Sequence, residues 1–185
     1  MSTADATRDA TAEAAETAHG AQTLAGKYMT FKLADEEYGL AILMVREIIG
    51  LMDIKHVPCT SEFISGVINL RGKVIPVVDL RLKFGMPKAT VTDQTVIIVV
   101  QYRRSGQDIT MGILVDEVLE VLSIPADQIE PTPPLGEAAG NTEFILGVGK
   151  AERRVIFLLD IGRILSAAEA REVLPAAEST AQANR

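Results

Sequence analysis

A mainly β protein, two tandem five-stranded barrels with short helices at their margins and a C-terminal helix, is the fold this sequence predicts. Three observations lead there: short β-branched runs between turn residues, an internal duplication, and units too small for broad sandwiches. Residues 1–26 interleave Ala with Thr, Asp and Glu and hold one large aliphatic, Leu24, so they are expected to be a disordered tail. Residues 27–92 form the first barrel subdomain. Tyr28–Leu33 alternates as a strand does, and Asp35, Glu36 and Glu37 fall where a hairpin turn meets Tyr38–Leu40. A turn explains these acids better than a metal-binding or catalytic carboxylate set. Val74–Val78 is a strand that Pro76 assigns to an edge or a bulge. Asp79 caps a short helix closed by Gly85, and Met86–Thr92 is a break.

Residues 93–174 form the second subdomain with its C-terminal helix. Val96–Val100, Ile113–Val115 and Val155–Leu159 are its strands, and Pro131–Asn141 is the clearest loop. Asp160 caps a helix expected to run on through Ala167–Val173, and residues 175–185 are expected to be a second tail.

The duplication is direct. Glu62–Leu80 lies on Glu143–Ile161 without a gap at an offset of 81, with eight of nineteen positions identical. Upstream, Val45, Glu47 and Ile48 are matched to Val115, Glu117 and Val118 at an offset of 70. The body thus reads as one unit used twice, over about 28–85 and 94–165.

Charge and composition exclude several functions. A net charge of −7 argues against a phosphate-backbone binder, and aromatics at 4% without Trp leave no platform for stacked bases. No apolar stretch approaches the roughly 20 residues that span a bilayer, so no membrane insertion is expected. One cysteine and two histidines exclude an intramolecular disulfide framework and a zinc site of Cys and His alone; the chain is expected to be soluble and suits a reducing cytoplasm. No cofactor or metal is expected.

Cys59 beside His56 has no recognisable oxyanion element or orienting third group, so a small semi-buried cysteine and a surface histidine are the better reading. Gly147-Val148-Gly149 precedes a strand, not a helix, and is no phosphate loop. More informative is the turn between matched strands, Asn69-Leu70-Arg71-Gly72 in one copy and Lys150-Ala151-Glu152-Arg153 in the other. Arg71 is either a partner anchor at a rigid hairpin tip or a solvated turn arginine; the residues alone leave both open. Val45–Met52 carries five aliphatics in eight residues. Ile48 and Ile49 are assigned to the core, Leu51 and Met52 to a surface.

Glu36-Glu37-Tyr38-Gly39, Val45-x-Glu47-Ile48, Phe63-Ile64-x-Gly66-Val67-Ile68-Asn69-Leu70-Arg71-Gly72, Ile75-Pro76-Val77-Val78-Asp79-Leu80 and Gly112–Asp116 together resemble the CheW-type coupling proteins of bacterial chemotaxis, over about 27–168. The resemblance implies two SH3-like barrels and a non-enzymatic cytoplasmic adaptor recruited to membrane-bound receptor arrays. It implies a groove between the barrels for the hairpin tip of a methyl-accepting chemotaxis receptor. A separate surface is implied for the histidine kinase's regulatory domain, with ring-like arrays joining adaptor and kinase. Carried over by position, the receptor-binding residues are Val45, Glu47 and Arg71, with Asn69 beside them and Val115 on the other wall. Gly66 matches a glycine at which signalling is sensitive, and Leu51, Met52 and Ile54 are the expected kinase-facing residues. The Ala-rich N-terminal tail departs from the family pattern. Two rivals are a fragment of the kinase itself, disfavoured by the lack of an ATP-binding box or phosphoacceptor helix, and a small-molecule-binding barrel.

Overall fold

The computed structural model describes residues 23–133, 142–166 and 168–172. The N-terminal segment to residue 22, most of the Pro131–Asn141 loop, and the 175–185 segment lie outside them. Within the expected first tail, Leu24 packs on a barrel core and its carbonyl accepts the Tyr28 hydroxyl at 2.5 Å, so the folded body begins earlier than its composition suggests.

Two antiparallel-dominated sheets make up the body. Eleven strands are present among the described residues: β1 Gly26–Leu33, β2 Glu36–Ala41, β3 Val45–Gly50, β4 Ile64–Leu70, β5 Lys73–Asp79, β6 Val96–Arg104, β7 Gln107–Val115, β8 Glu117–Ile124, β9 Ile129–Glu130, β10 Ile145–Ala151 and β11 Arg154–Leu159. The five-stranded sheet runs β3-β6-β7-β5-β4, and the six-stranded sheet β8-β1-β2-β11-β10-β9. The mainly β architecture is as expected, but a cut near residue 92 does not separate the sheets. Hairpin β1–β2 of the first copy joins β8 and β11 of the second; hairpin β6–β7 of the second joins β3 and β5 of the first. The copies have exchanged hairpins reciprocally, and each exchange uses one antiparallel and one parallel seam.

This exchange explains the apolar runs. Alternate residues of a strand point to opposite faces, and here both faces are buried. Ile97 and Val99 enter the core of the first barrel with Ile68, Ile75 and Val77. Ile156 and Leu158 enter that of the second with Tyr28, Ile124 and Ile129. The intervening residues, among them Phe31, Leu40, Val78, Ile98, Val100, Ile113 and Leu159, meet in a third and largest core between the barrels. A strand buried on both sides reads as a continuous run such as Val96–Val100, not as an alternation.

Both aspartate caps form. The Asp79 carboxylate accepts from the Arg81 and Leu82 amides at the start of α1 (Leu80–Lys83), and Asp160 from Gly162 at the start of α2 (Ile161–Ile164). Gly85, at φ +74°, closes α1 by donating to Leu82. The second helix does not run on. Ser166 and Glu169 form a reciprocal capping pair, Ser166 N–H to the Glu169 carboxylate at 2.7 Å and Glu169 N–H to the Ser166 hydroxyl at 3.2 Å. That pair opens a new helical turn at 168–172. Pro76 also differs from expectation: β5 lies between β7 and β4, but its parallel ladder with β7 begins at Val77, so the missing N–H forfeits no bond there.

Candidate functional site

The β4–β5 turn consists of Arg71 at φ +51° and Gly72 at φ +85°. Two left-handed residues give the tight hairpin turn that matches strand twist. The Asn69 side-chain oxygen accepts the Gly72 amide at 2.8 Å, so Asn69 shapes the turn. Sheet closure brings Glu47 of β3, at one edge, to this turn at the other. Arg71 then donates two parallel hydrogen bonds to the Glu47 carboxylate, at 2.9 and 2.5 Å. These hydrogen bonds hold the Glu47 carboxyl below its ordinary range and raise the guanidinium. The expected receptor-facing residues Glu47, Arg71 and Asn69 are therefore gathered at one tip, as a fork whose charges already face each other. Val45 opens β3 and is half-buried against the central core.

Val115 is not part of this surface. It is 1% exposed at the end of β7, inside the central core, and cannot touch a partner. The offset of 70 that matched it to Val45 is also corrected. Ile49 pairs with Ile97 and points into the first barrel; Leu122 pairs with Tyr28 and packs on the core of the second. Their neighbours Ile48 and Val121 are both exposed, at 42% and 48%. The structural offset is 73, so Val118 is the counterpart of Val45 and Glu120 that of Glu47. Ile48 is accordingly a surface residue, against the expectation of a core position. Sequence reasoning also passed over Leu43 (86% exposed) and Met44, whose 3-10 turn Ile42–Met44 leads into β3. The signal was present as an apolar triplet in a connection, of which Ile42 packs on the central core while Leu43 and Met44 stay exposed.

Gly66 lies at a β-bulge with φ +139°, and a Cβ there would sit 2.1 Å from the Lys55 carbonyl oxygen. That carbonyl accepts the Val67 amide while Lys55 N–H donates to Val67, both at 2.9 Å. Only glycine fits.

Leu51 and Met52 are exposed and Ile54 is half-buried. With His56, Val91 and Leu114 they line an open depression of about 490 Å³. His56 is a surface residue as expected, whereas Cys59 is exposed and not semi-buried. Among the described residues no three His, Cys, Asp or Glu side chains gather as a metal site.

The CheW-like domain model matches residues 27–169. The chain belongs to the CheW-like family. It is 39% identical over 148 residues to the chemotaxis protein CheW of Klebsiella aerogenes, covering 80% of this chain and 86% of that one. It is 32% identical to the CheW of Bacillus subtilis, covering 80% and 92%. The crystal structure of the scaffolding protein CheW from Thermoanaerobacter tengcongensis superposes with a TM-score of 0.69 at 37% identity, over 79% of this chain and 96% of that one. The matched span takes in both CheW-like barrels and the Arg71 hairpin.

Proposed function

We propose that this chain is a chemotaxis coupling adaptor without catalytic activity of its own, which joins the cytoplasmic tip of a chemoreceptor hairpin to the regulatory domain of the histidine kinase. What carries the reading is the Arg71–Glu47 fork on a closed barrel beside exposed Leu43, Met44 and Ile48, in a chain of this family. The inter-barrel space is filled by core side chains, so a receptor helix docks along its rim at Val45 with its apolar face on the β3 side chains. Arg71 and Glu47 fix its register through charge-assisted hydrogen bonds, on a fork whose ordering cost is already met in the free protein. The kinase docks on Leu51, Met52 and Ile54. Receptor state reaches the kinase only if the assembly binds active and inactive kinase unequally. The working place is the cytoplasmic face of membrane-bound receptor arrays, where adaptor and kinase alternate in rings.

The test is co-sedimentation of the pure chain with receptor-containing membranes and the kinase. The expected outcome is that the chain brings the kinase down and raises its autophosphorylation. Sedimentation with neither partner overturns the reading.

A further inference from the structure

The thirteen residues 51–63 that join β3 to β4 carry Leu51, Met52 and Ile54 yet contain no helix or extended strand. Hydrogen bonds between Lys55 and Val67 tie the middle of this connection to β4. Near its end, Ser61 is held from the far end of the chain. The Glu172 carboxylate accepts both the Ser61 amide, at 3.1 Å, and the Ser61 hydroxyl, at 2.6 Å. Glu172 stands on the helical turn 168–172, and that turn is itself anchored. Leu165 and Ala170 are buried in the central core, Arg104 donates to the Leu165 carbonyl at 3.2 Å, and Glu169 is paired with Lys83 at 2.5 Å. Lys83 in turn lies over the Phe63 ring, 4.7 Å from its centroid. Ser61 and the three apolar side chains line the same depression. A segment from the second copy is thus latched onto the connection of the first copy that bears Leu51, Met52 and Ile54.

We infer that residues 165–166 and 168–172 form a strap and that Glu172 is a positioning residue: it holds the 51–63 connection in the shape that the kinase recognises, without touching the kinase. The functional half of this inference rests on the kinase-facing reading of Leu51, Met52 and Ile54. Released at Ser61, the connection stays tethered at Lys55 and Phe63 but samples more shapes between them, and a partner loses affinity in proportion to the fraction that is competent. Ser61 makes its two bonds to one carboxylate, so loss of Glu172 frees the amide and the hydroxyl together.

The experiment compares the full chain with Glu172→Ala, Glu172→Gln and Leu51→Asp by amide hydrogen exchange and by titration with kinase and with receptor membranes. Glu172→Ala is expected to speed exchange at Ser61 by about fivefold or more and to weaken kinase binding by roughly three- to tenfold. Receptor binding stays within about twofold, and Glu172→Gln, which keeps an acceptor oxygen, recovers most of the loss. Unchanged exchange at Ser61 overturns the strap. So does an equal loss for receptor and kinase, which marks a merely structural role. If exchange quickens but kinase affinity holds, Leu51→Asp separates the causes. A Leu51→Asp chain that no longer binds kinase overturns the role of Glu172, and one that binds normally overturns the kinase-facing reading beneath it.

Discussion

In the first copy Glu47 is joined to Arg71 at the very tip of its hairpin; in the second its counterpart Glu120 is joined at 2.7 Å to Arg154, the first residue of β11 beyond the turn. The second tip carries Glu152 instead, at φ +56° against +51° for Arg71. At that position the left-handed φ is kept and the charge is reversed; at the next, Gly72 is left-handed at φ +85° and Arg153 is not. Everything that makes the fold is kept in both copies: the bulge glycine at Gly66 and Gly147, the aspartate caps, and the 2.8 Å bonds from the Asp79 and Asp160 amides to the Phe63 and Phe144 carbonyls. What differs most is the turn, in its second residue and in what it shows to solvent. The exposed apolar side chains follow the same division, since Leu43, Met44, Ile48, Leu51 and Met52 flank the first copy's Glu47 strand, whereas Val121 and Val155 stand apart on the second. A duplicated frame with one altered tip is what a binding face added to a folding unit looks like.

The sharpest contrast should come from the two bulge glycines. Gly66→Ala combines a left-handed φ with a backbone collision and is expected to lose about 3–5 kcal/mol. At Gly147 the nearest atom to a Cβ is the Glu130 carbonyl at 2.9 Å, with no positive φ, so Gly147→Ala is expected to lose about 1 kcal/mol. Urea unfolding of the pair reads the difference, and equal losses would mean that the copies close their barrels alike.

Next in size is the tip. Arg71→Ala should weaken receptor binding by about 1.5–3 kcal/mol, the range for a hydrogen bond to a charged group, while the thermal midpoint barely moves. Glu152→Ala should do neither. A parallel loss of stability and binding in Arg71→Ala would make the residue structural.

Smaller still are the caps. Asp79 is buried and accepts two amides, whereas Asp160 accepts one from its own helix, so Asp79→Ala should cost about 1–2 kcal/mol and Asp160→Ala about half that. Paired denaturant titrations check the order.

The smallest effect is on acid stability. Burial pushes Glu169 up, but hydrogen bonds from Lys83 and Ser166 outweigh it and hold its carboxyl below the ordinary 4.5. A depressed folded value stabilises the protein above pH 4.5, and that contribution fades as pH falls through the lower folded value. Lys83→Met should therefore flatten the acid limb of the stability curve by under about 1 kcal/mol, with little change in its slope above pH 6.

Much of this was legible in the residues. The gapless match of Glu62–Leu80 to Glu143–Ile161 revealed the duplication, and both aspartate caps were placed correctly because they are local devices with local signatures; it paired Gly66 with Gly147 without marking either as a bulge. The hairpin exchange was not legible: which strand a hairpin pairs with is decided by non-local packing, and β1–β2 carries no mark that assigns it to β8 rather than β3. Two errors at the site follow from the offset and from strand alternation. A match on Val-x-Glu-aliphatic set the offset three residues short, so Val115, a core residue, was taken for Val45's counterpart. Ile48 and Ile49 were both assigned to the core because both match aliphatic residues of the second copy, Val118 and Leu119, whereas consecutive strand residues face opposite ways.

The most direct test exchanges the tip charges. Receptor co-sedimentation is compared for the parent chain, Arg71→Glu and Glu152→Arg, each with its melting curve. The account predicts that Arg71→Glu abolishes sedimentation with receptor membranes, because it places two carboxylates together at Glu47, while Glu152→Arg sediments as the parent does and both remain folded. Equal losses from the two substitutions, or normal binding by a folded Arg71→Glu, would contradict it.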